Sequence, residues 1–501
     1  MFKNLKIFLS KNKKIINFNR GSKKFVLLAD RQRFDSCIRQ SLISKIFSDK
    51  GYIPVLATSN PNSDYLKVYK SFGIKKIFNT NLRYNKLFFV TNLPINLFKT
   101  FYVFFKCLIT GVEKFQKSFE IEKIQIADQI IDHYIRADKS YKRGFFTFSF
   151  FKNIFVAFFK IKLIKNFIKD NKIQYTVVST DCYLNDSSII FKISEKEKIT
   201  NILSVRKAIK VYSNQNDYKY HIYAIKNKDI NSKISNNKIN SYLKKRFDGK
   251  IDHLDVKNAF ANKIKNFDKD QFIKYFNLEK KEYKKIILFA PHVFADACHT
   301  WGPFPFLHYY SFFVETFEKI KDIKDIFWII KPHPTRHFWN EDSLIKDYLK
   351  NKNFPNIFLC PDKINTIDLL NHVDSVVTGR GTIAVESAIL GKRPLTCGAS
   401  IYSDIDISLK TNTKKDFFNK LHFDSFKFKL SSKDIKKAKK ALYLMGEYRW
   451  KQNSKIIPNM ATNDKNKKLY FGIINKNLKN KSFLKDKYYF DIKTKIIPYI
   501  K

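Results

Sequence analysis

The chain has 501 residues, 44 % of them hydrophobic and 16 % aromatic, which is material for two or three cores and excludes an intrinsically disordered protein. Its formal charge of +50 is carried mostly by lysine, with only 13 arginines spread along the whole length. Base-reading proteins lean on bidentate arginine, so the charge does not indicate specific nucleic-acid recognition, although it attracts phosphates, acidic glycans and anionic lipid.

From the N-terminus, "MFKNLKIFLSKNKKIINFNR" is basic, and its apolar runs are too short and lysine-broken for a signal peptide. "FVLLAD", a helical stretch ending at Gly51, and "YIPVLAT" read as strand, helix and strand. A further helix and strand follow in "SDYLKVYKSFGIKKIFNT". Next come two aromatic stretches, 88–112 and 145–168. The first is broken by Pro94 and carries Lys99 and Lys106, and the second holds four lysines. Neither offers about 18 uncharged apolar residues, so no spanning helix is expected. Helices packed on a sheet, with lysine stems reaching outward, are preferred to a membrane-interface role. "IQYTVVSTDCYLN" and "KISEKEKITNILSV" then complete a mostly parallel α/β domain.

Residues 225–284 are rich in Lys, Asn and Asp and read as surface helices and a connector. A second α/β run follows, with strands in "KKIILFAP", "IFWIIKPHP", "NIFLCP", "DSVVTG" and "RPLTCG" alternating with helices. The domain limits expected from these patterns are 1–265, a connector 266–284, 285–430, and a C-terminal helix and tail 431–501. The six cysteines are scattered, with no CxxC, as free thiols of a reducing compartment would be, and metal ligation is not expected.

Three loops of the second half carry chemistry. "APHVFADACHTWG" offers His292, Asp296, His299 and Thr300. Its spacing suits no rigid metal site, and an acid/base loop fits better. In "KPHP", Pro332 and Pro334 fix two φ angles and restrict Lys331 and His333, so the imidazole has few ways to point. It can donate to a phosphate or base oxygen, with Lys331 as an adjacent cation. "VVTGRGTIAVESAILG" runs a strand into Gly379, Arg380, Gly381 and Thr382 and at once into a helix, which reads as an anion cradle. Glu386, one turn on, can reach a ribose hydroxyl. The loop is neither G-x-G-x-x-G nor a Walker motif.

"PHVFADACH", "IIKPHP" and "VVTGRGTIAVESAILGKRPLTCGASIY", in this order, resemble the bacterial capsule and surface polysaccharide biosynthesis proteins, GT-B-like glycosyltransferases that include the capsular Kdo transferases. The resemblance covers about residues 283–410, more faintly "QIADQIIDHYIRAD" and "VVSTDCYLN". It implies an α/β fold of two Rossmann-like domains facing a cleft. It also implies that His333, Gly381, Thr382 and Glu386 contact a donor nucleotide, as the HP motif does in sialyltransferases that use CMP-sugars. Donor departure in such a fold needs helix dipoles and basic side chains, not necessarily a metal, and no cofactor is expected. The acidic pairs Asp268–Asp270 and Asp404–Asp406 match a metal-binding DxD in composition alone.

A base must take the acceptor hydroxyl proton, and the candidates are Asp296, His299 and then Asp132. Arg136 either holds an acidic acceptor or pairs with Asp132 across one helical turn. The expected partners are a nucleotide-sugar donor, a glycan or glycolipid acceptor and an anionic membrane surface, and the expected location is the cytoplasm, peripheral on the inner face of the membrane. The alternatives are a CDP-glycerol-type phosphotransferase, a sugar-nucleotide epimerase, a non-catalytic homologue, and a basic nucleic-acid or membrane-binding protein.

Overall fold

Central strands of parallel sheets are covered on both faces, so they read as unbroken apolar runs. The runs in this chain behave that way. The computed structural model describes residues 2–12, 15–16, 23–139, 144–205, 208–218, 221–251, 253–261, 268–278, 283–299, 302–352, 354–448, 454–458, 466–479 and 481–500. The first sheet contains β1 (Phe25–Ala29), β2 (Ile53–Thr58) and β3 (Lys76–Asn79). The strands β4 (Glu120–Ile121) and β5 (Ile124–Gln125) form a separate hairpin. The first sheet is completed by β6 (Tyr175–Val178), β7 (Thr200–Val205) and β8 (Ala208–Tyr212). The second contains β9 (Lys285–Ala290), β10 (Ile326–Ile330), β11 (Ile357–Leu359), β12 (Ser375–Thr378), β13 (Leu395–Cys397) and β14 (Leu409–Thr411).

The first sheet is ordered β3-β2-β1-β6-β7-β8, parallel throughout except for the antiparallel β7–β8 edge. The second is ordered β11-β10-β9-β12-β13-β14 and is wholly parallel. Both follow the doubly wound pattern, in which the chain winds outward from its first strand and then returns to that strand's other side. Two Rossmann-like domains are therefore present. The edge strands β8 and β14 are additions to the sequence reading.

Packing divides the chain differently from the expected limits. One unit comprises Met1–Ile222 with Arg449–Lys501, and the other Tyr223–Tyr448. The stretch read as a connector belongs to the second unit. Its helix Asn236–Phe247 buries Ile239, Tyr242, Leu243 and Arg246, and Asp268 caps the helix Lys269–Tyr275 by accepting from the Gln271 N–H at 2.7 Å. That cap accounts for one supposed DxD, and Asp406, 3.3 Å from Arg393, belongs to an exposed ion pair of the other. The expected boundary at 265–266 falls outside the described residues. The C-terminal segment is no free tail: Phe471 and Phe483 pack on Phe8 of the helix Lys3–Lys11, and the Asn4 amide donates to Lys468 O at 2.8 Å.

The two aromatic helices differ. Phe148–Asp170 buries Phe150, Ile154, Ala157, Ile161 and Ile164, as a helix packed on a sheet should. Lys86–Thr110 is one 25-residue helix that continues through Pro94, and its buried residues are Asn96, Thr100 and Cys107. Its apolar side faces outward, which corrects the packed-helix reading of that segment.

Candidate functional site

In an open parallel sheet, ligands sit outside the carboxyl ends of the strands where the winding reverses. In the second unit that point lies between β9 and β12. The Thr378 hydroxyl at the end of β12 donates to Ala290 O at the end of β9 at 2.8 Å, closing the floor. Above it lies a cavity at the place a doubly wound sheet offers to a ligand. Its walls are Pro291 and His292 after β9, Lys331 to Pro334 after β10, and Gly381, Thr382 and Glu386 after β12. The helices Asn236–Phe247 and Leu254–Phe260 add Arg246 and Asp255.

His333 sits where the two prolines place it. The Thr335 N–H donates to its Nδ1 at 3.3 Å, and the Thr335 hydroxyl, 3.0 Å from the same nitrogen, donates to Asp255 at 3.1 Å. A backbone N–H can only donate, so Nδ1 is an acceptor and the ring proton of the neutral form lies on Nε2. Burial, and then the nearby His292, push His333 down to about 4. Its ring stacks on His292 at 5.5 Å, and His292 stacks on Tyr309 at 4.3 Å. Burial lowers His292 as well. The cavity is thus walled by two imidazoles that are neutral near pH 7.

Several side chains expected to meet the ligand are held by the protein. The Lys331 ammonium donates to Pro361 O and Ile364 O at 3.0 and 2.9 Å, fixing the neighbouring loop. Arg380 is not among the cavity walls. Its guanidinium donates to Cys298 O, and to Gly302 O and Pro303 O at 2.8 Å each, and it stacks over Phe304 at 4.8 Å. It ties Cys298 to Gly302 and Pro303, which corrects its reading as a phosphate contact. Glu386 lines the cavity, but its Oε1 receives Arg246 Nε and Nη2 at 2.9 and 2.6 Å. Burial alone would lower Arg246, and the paired Glu386 carboxylate together with Tyr242 more than offsets this, so it is raised.

Gly379 lies against the Phe304 and Tyr309 rings, where a Cβ would sit 3.4–3.5 Å from them. Gly381 is crowded from below, since a Cβ would meet Thr378 Oγ1 at 2.9 Å, and its carbonyl is held by the Tyr402 hydroxyl at 2.9 Å. Thr382 makes no capping bond to the helix Ile383–Ile389 and lines the cavity. That helix has seven residues, shorter than the cradle reading assumed.

The proposed acid/base residues come from both units. The Asp296 side chain is 46 % exposed, with His292 Nδ1 3.9 Å away. His299 is buried beside the Cys298 thiol at 3.3 Å. Thr300 lies outside the described residues. Asp132 and Arg136 belong to the first unit, on the helix Ala127–Asp138, where Asp132 is buried and Arg136 donates to the Tyr183 hydroxyl at 2.7 Å. Sequence reasoning missed Arg246, Asp255 and Glu341. The last accepts from the Phe294 and Ala295 N–H groups at 2.9 and 2.7 Å and so shapes the loop carrying His292 and Asp296.

A family model described as "Capsule polysaccharide biosynthesis protein" matches residues 182–448, just over half of the chain and the whole of the second unit. The chain belongs to that family. No curated protein sequence matches it. Among solved structures, a beta Kdo 2,4 transferase, KpsC of Thermosulfurimonas dismutans, is similar at 12 % identity and a TM-score of 0.32, over 61 % of this chain and 87 % of that one. A UDP-GlcNAc 2-epimerase of Methanocaldococcus jannaschii, solved with UDP-GlcNAc and UDP, is similar at 12 % identity and a TM-score of 0.23, over 91 % and 97 %. Anabaena Alr3699/HepE, solved with UDP-glucose, is similar at 8 % and 0.26, over 84 % and 95 %. TM-scores this low carry no weight for the reaction.

Proposed function

We propose that this capsule polysaccharide biosynthesis protein is a glycosyltransferase that binds a nucleotide-sugar donor in the second unit and passes the sugar to a glycan or lipid-linked acceptor in the cytoplasm. The observation that carries the reading is the pocket itself. A proline-clamped, neutral His333 with its proton on Nε2 lines the same cavity as Gly381 and Thr382, at the winding reversal of a doubly wound sheet. A neutral Nε2–H donates to a phosphate or base oxygen, and the Thr382 hydroxyl supplies a second donor. No step requires a metal, because transfer can rest on fixed donors aimed at the departing phosphate.

In this reading Glu386 acts mainly as the buried partner that holds Arg246 against the cavity wall. Asp296 is the carboxylate proposed to receive the acceptor hydroxyl proton, being the more exposed of the two acid/base candidates in this unit. The test is incubation of the full chain with nucleotide sugars and a capsule oligosaccharide acceptor. Free nucleotide released in step with lengthened acceptor supports transfer. Interconversion of the donor sugar with no nucleotide released would replace transfer by epimerisation.

A further inference from the structure

We propose that the helix Lys86–Thr110 is an in-plane membrane anchor that seats the first unit on an anionic lipid surface. The inference stands independently of the transfer reading. Helices on soluble domains turn apolar residues inward and polar residues outward. This helix does the reverse. Its buried residues, Asn96, Thr100 and Cys107, lie on one side, at a spacing of four and seven. At 3.6 residues per turn, Leu87, Phe98, Phe105 and Ile109 point directly away from them. Leu87 is 80 %, Phe98 72 % and Ile109 83 % exposed. The patch continues onto Phe146 and Phe148, with Phe146 in ring contact with Phe104 at 6.0 Å.

Charge complementarity selects the occupant. The helix carries Lys86, Lys99 and Lys106 and no acidic residue. Lys99 and Lys106, seven apart, border the apolar stripe on one flank, and the exposed Lys114 and Lys117 follow. Aromatic and aliphatic side chains on one face beside a basic border are what an anionic bilayer interface accommodates.

By length and hydropathy the helix could cross a bilayer. Its packing favours lying flat. Phe89 stacks on Phe159 at 4.8 Å, and Phe101 contacts Phe151 at 4.8 Å. It therefore runs along the helix Phe148–Asp170, whose other residues fill the domain core. Crossing would detach it along its whole length from that partner.

The experiment uses the full chain sedimented with phosphatidylcholine vesicles that carry or lack phosphatidylglycerol. It is run at about 0.15 M salt and at about 1 M, where the screening length falls from about 8 to about 3 Å. Binding to anionic vesicles that persists at the higher salt is expected. Phe98→Asp with Phe105→Asp should weaken it by roughly tenfold or more per site, from the transfer cost of one phenylalanine, with an unchanged melting curve because both rings are exposed. Phe98→Trp emission should shift to the blue on vesicles. No vesicle binding overturns the proposal, as does binding that the aspartates leave intact and salt abolishes, which is adsorption of a +50 protein only. Lipid-free self-association that the aspartates abolish, without vesicle binding, would assign the face to a second copy and overturn it equally.

Discussion

Replacing Arg246 with methionine removes the charge that Glu386 is buried against. The two side chains are 10 % and 4 % exposed, and one carboxylate oxygen receives both Nε and Nη2. With charge centres about 4 Å apart and an effective dielectric of about 20, the attraction is roughly 4 kcal/mol. Stranding one member of a buried pair costs about 3–5 kcal/mol, whereas an exposed bridge is worth at most about 1 kcal/mol. Arg246→Met should therefore lose about 3–5 kcal/mol, a fall of roughly 6–20 °C in the Tm of a unit this size. Urea unfolding followed through Trp328, fully buried in β10, reads the second unit. Adding Glu386→Leu should recover most of the loss, because no charge is then stranded. A loss below about 1 kcal/mol would refute the reasoning and leave Glu386 free for a ligand.

Two further outcomes follow from the same geometry. His333, held down to about 4, stays neutral in the fold while an unfolded histidine protonates near 6.5, so the unfolded state binds more protons between those values and stability falls as pH drops through that window. His292, lowered, and His308, lowered to about 3, both by burial, add the same sign. Urea midpoints at pH 7 and pH 5 check this, with His333→Asn flattening part of the slope, and an equal or higher midpoint at pH 5 would contradict it. Arg380→Met leaves the Cys298, Gly302 and Pro303 carbonyls without a charged donor, at about 1.5–3 kcal/mol per bond. Loss of stability well before any specific loss of nucleotide affinity is expected in calorimetry, and the reverse order would restore Arg380 as a ligand contact.

The strands were legible because buried parallel strands are continuous apolar runs, and Pro332–His333–Pro334 marked its loop because two fixed φ angles are written in the sequence itself. What escaped was long-range pairing. Arg246 meets Glu386 across 140 residues, and Asn4 meets Lys468 across 464, distances at which no spacing pattern survives. Arg380 was misread because a guanidinium suits backbone carbonyls as well as it suits phosphate. The helix Lys86–Thr110 was misread because hydropathy reports how apolar a helix is, whereas only packing reports which face looks inward. Lys331 shows the same limit: its charge was visible, its two carbonyl acceptors were not.

The central claim is that the loops after β9, β10 and β12 form a nucleotide site organised by His333. Calorimetric titration of the full chain with CMP, CDP, UMP, UDP and GDP, beside His333→Ala, tests it most directly. The account predicts a response selective for one base that is lost in the variant while its melting temperature at pH 7 is kept. Equal binding by the variant, or no response to any of the five, would contradict it and leave the proline-flanked histidine a stiff structural turn.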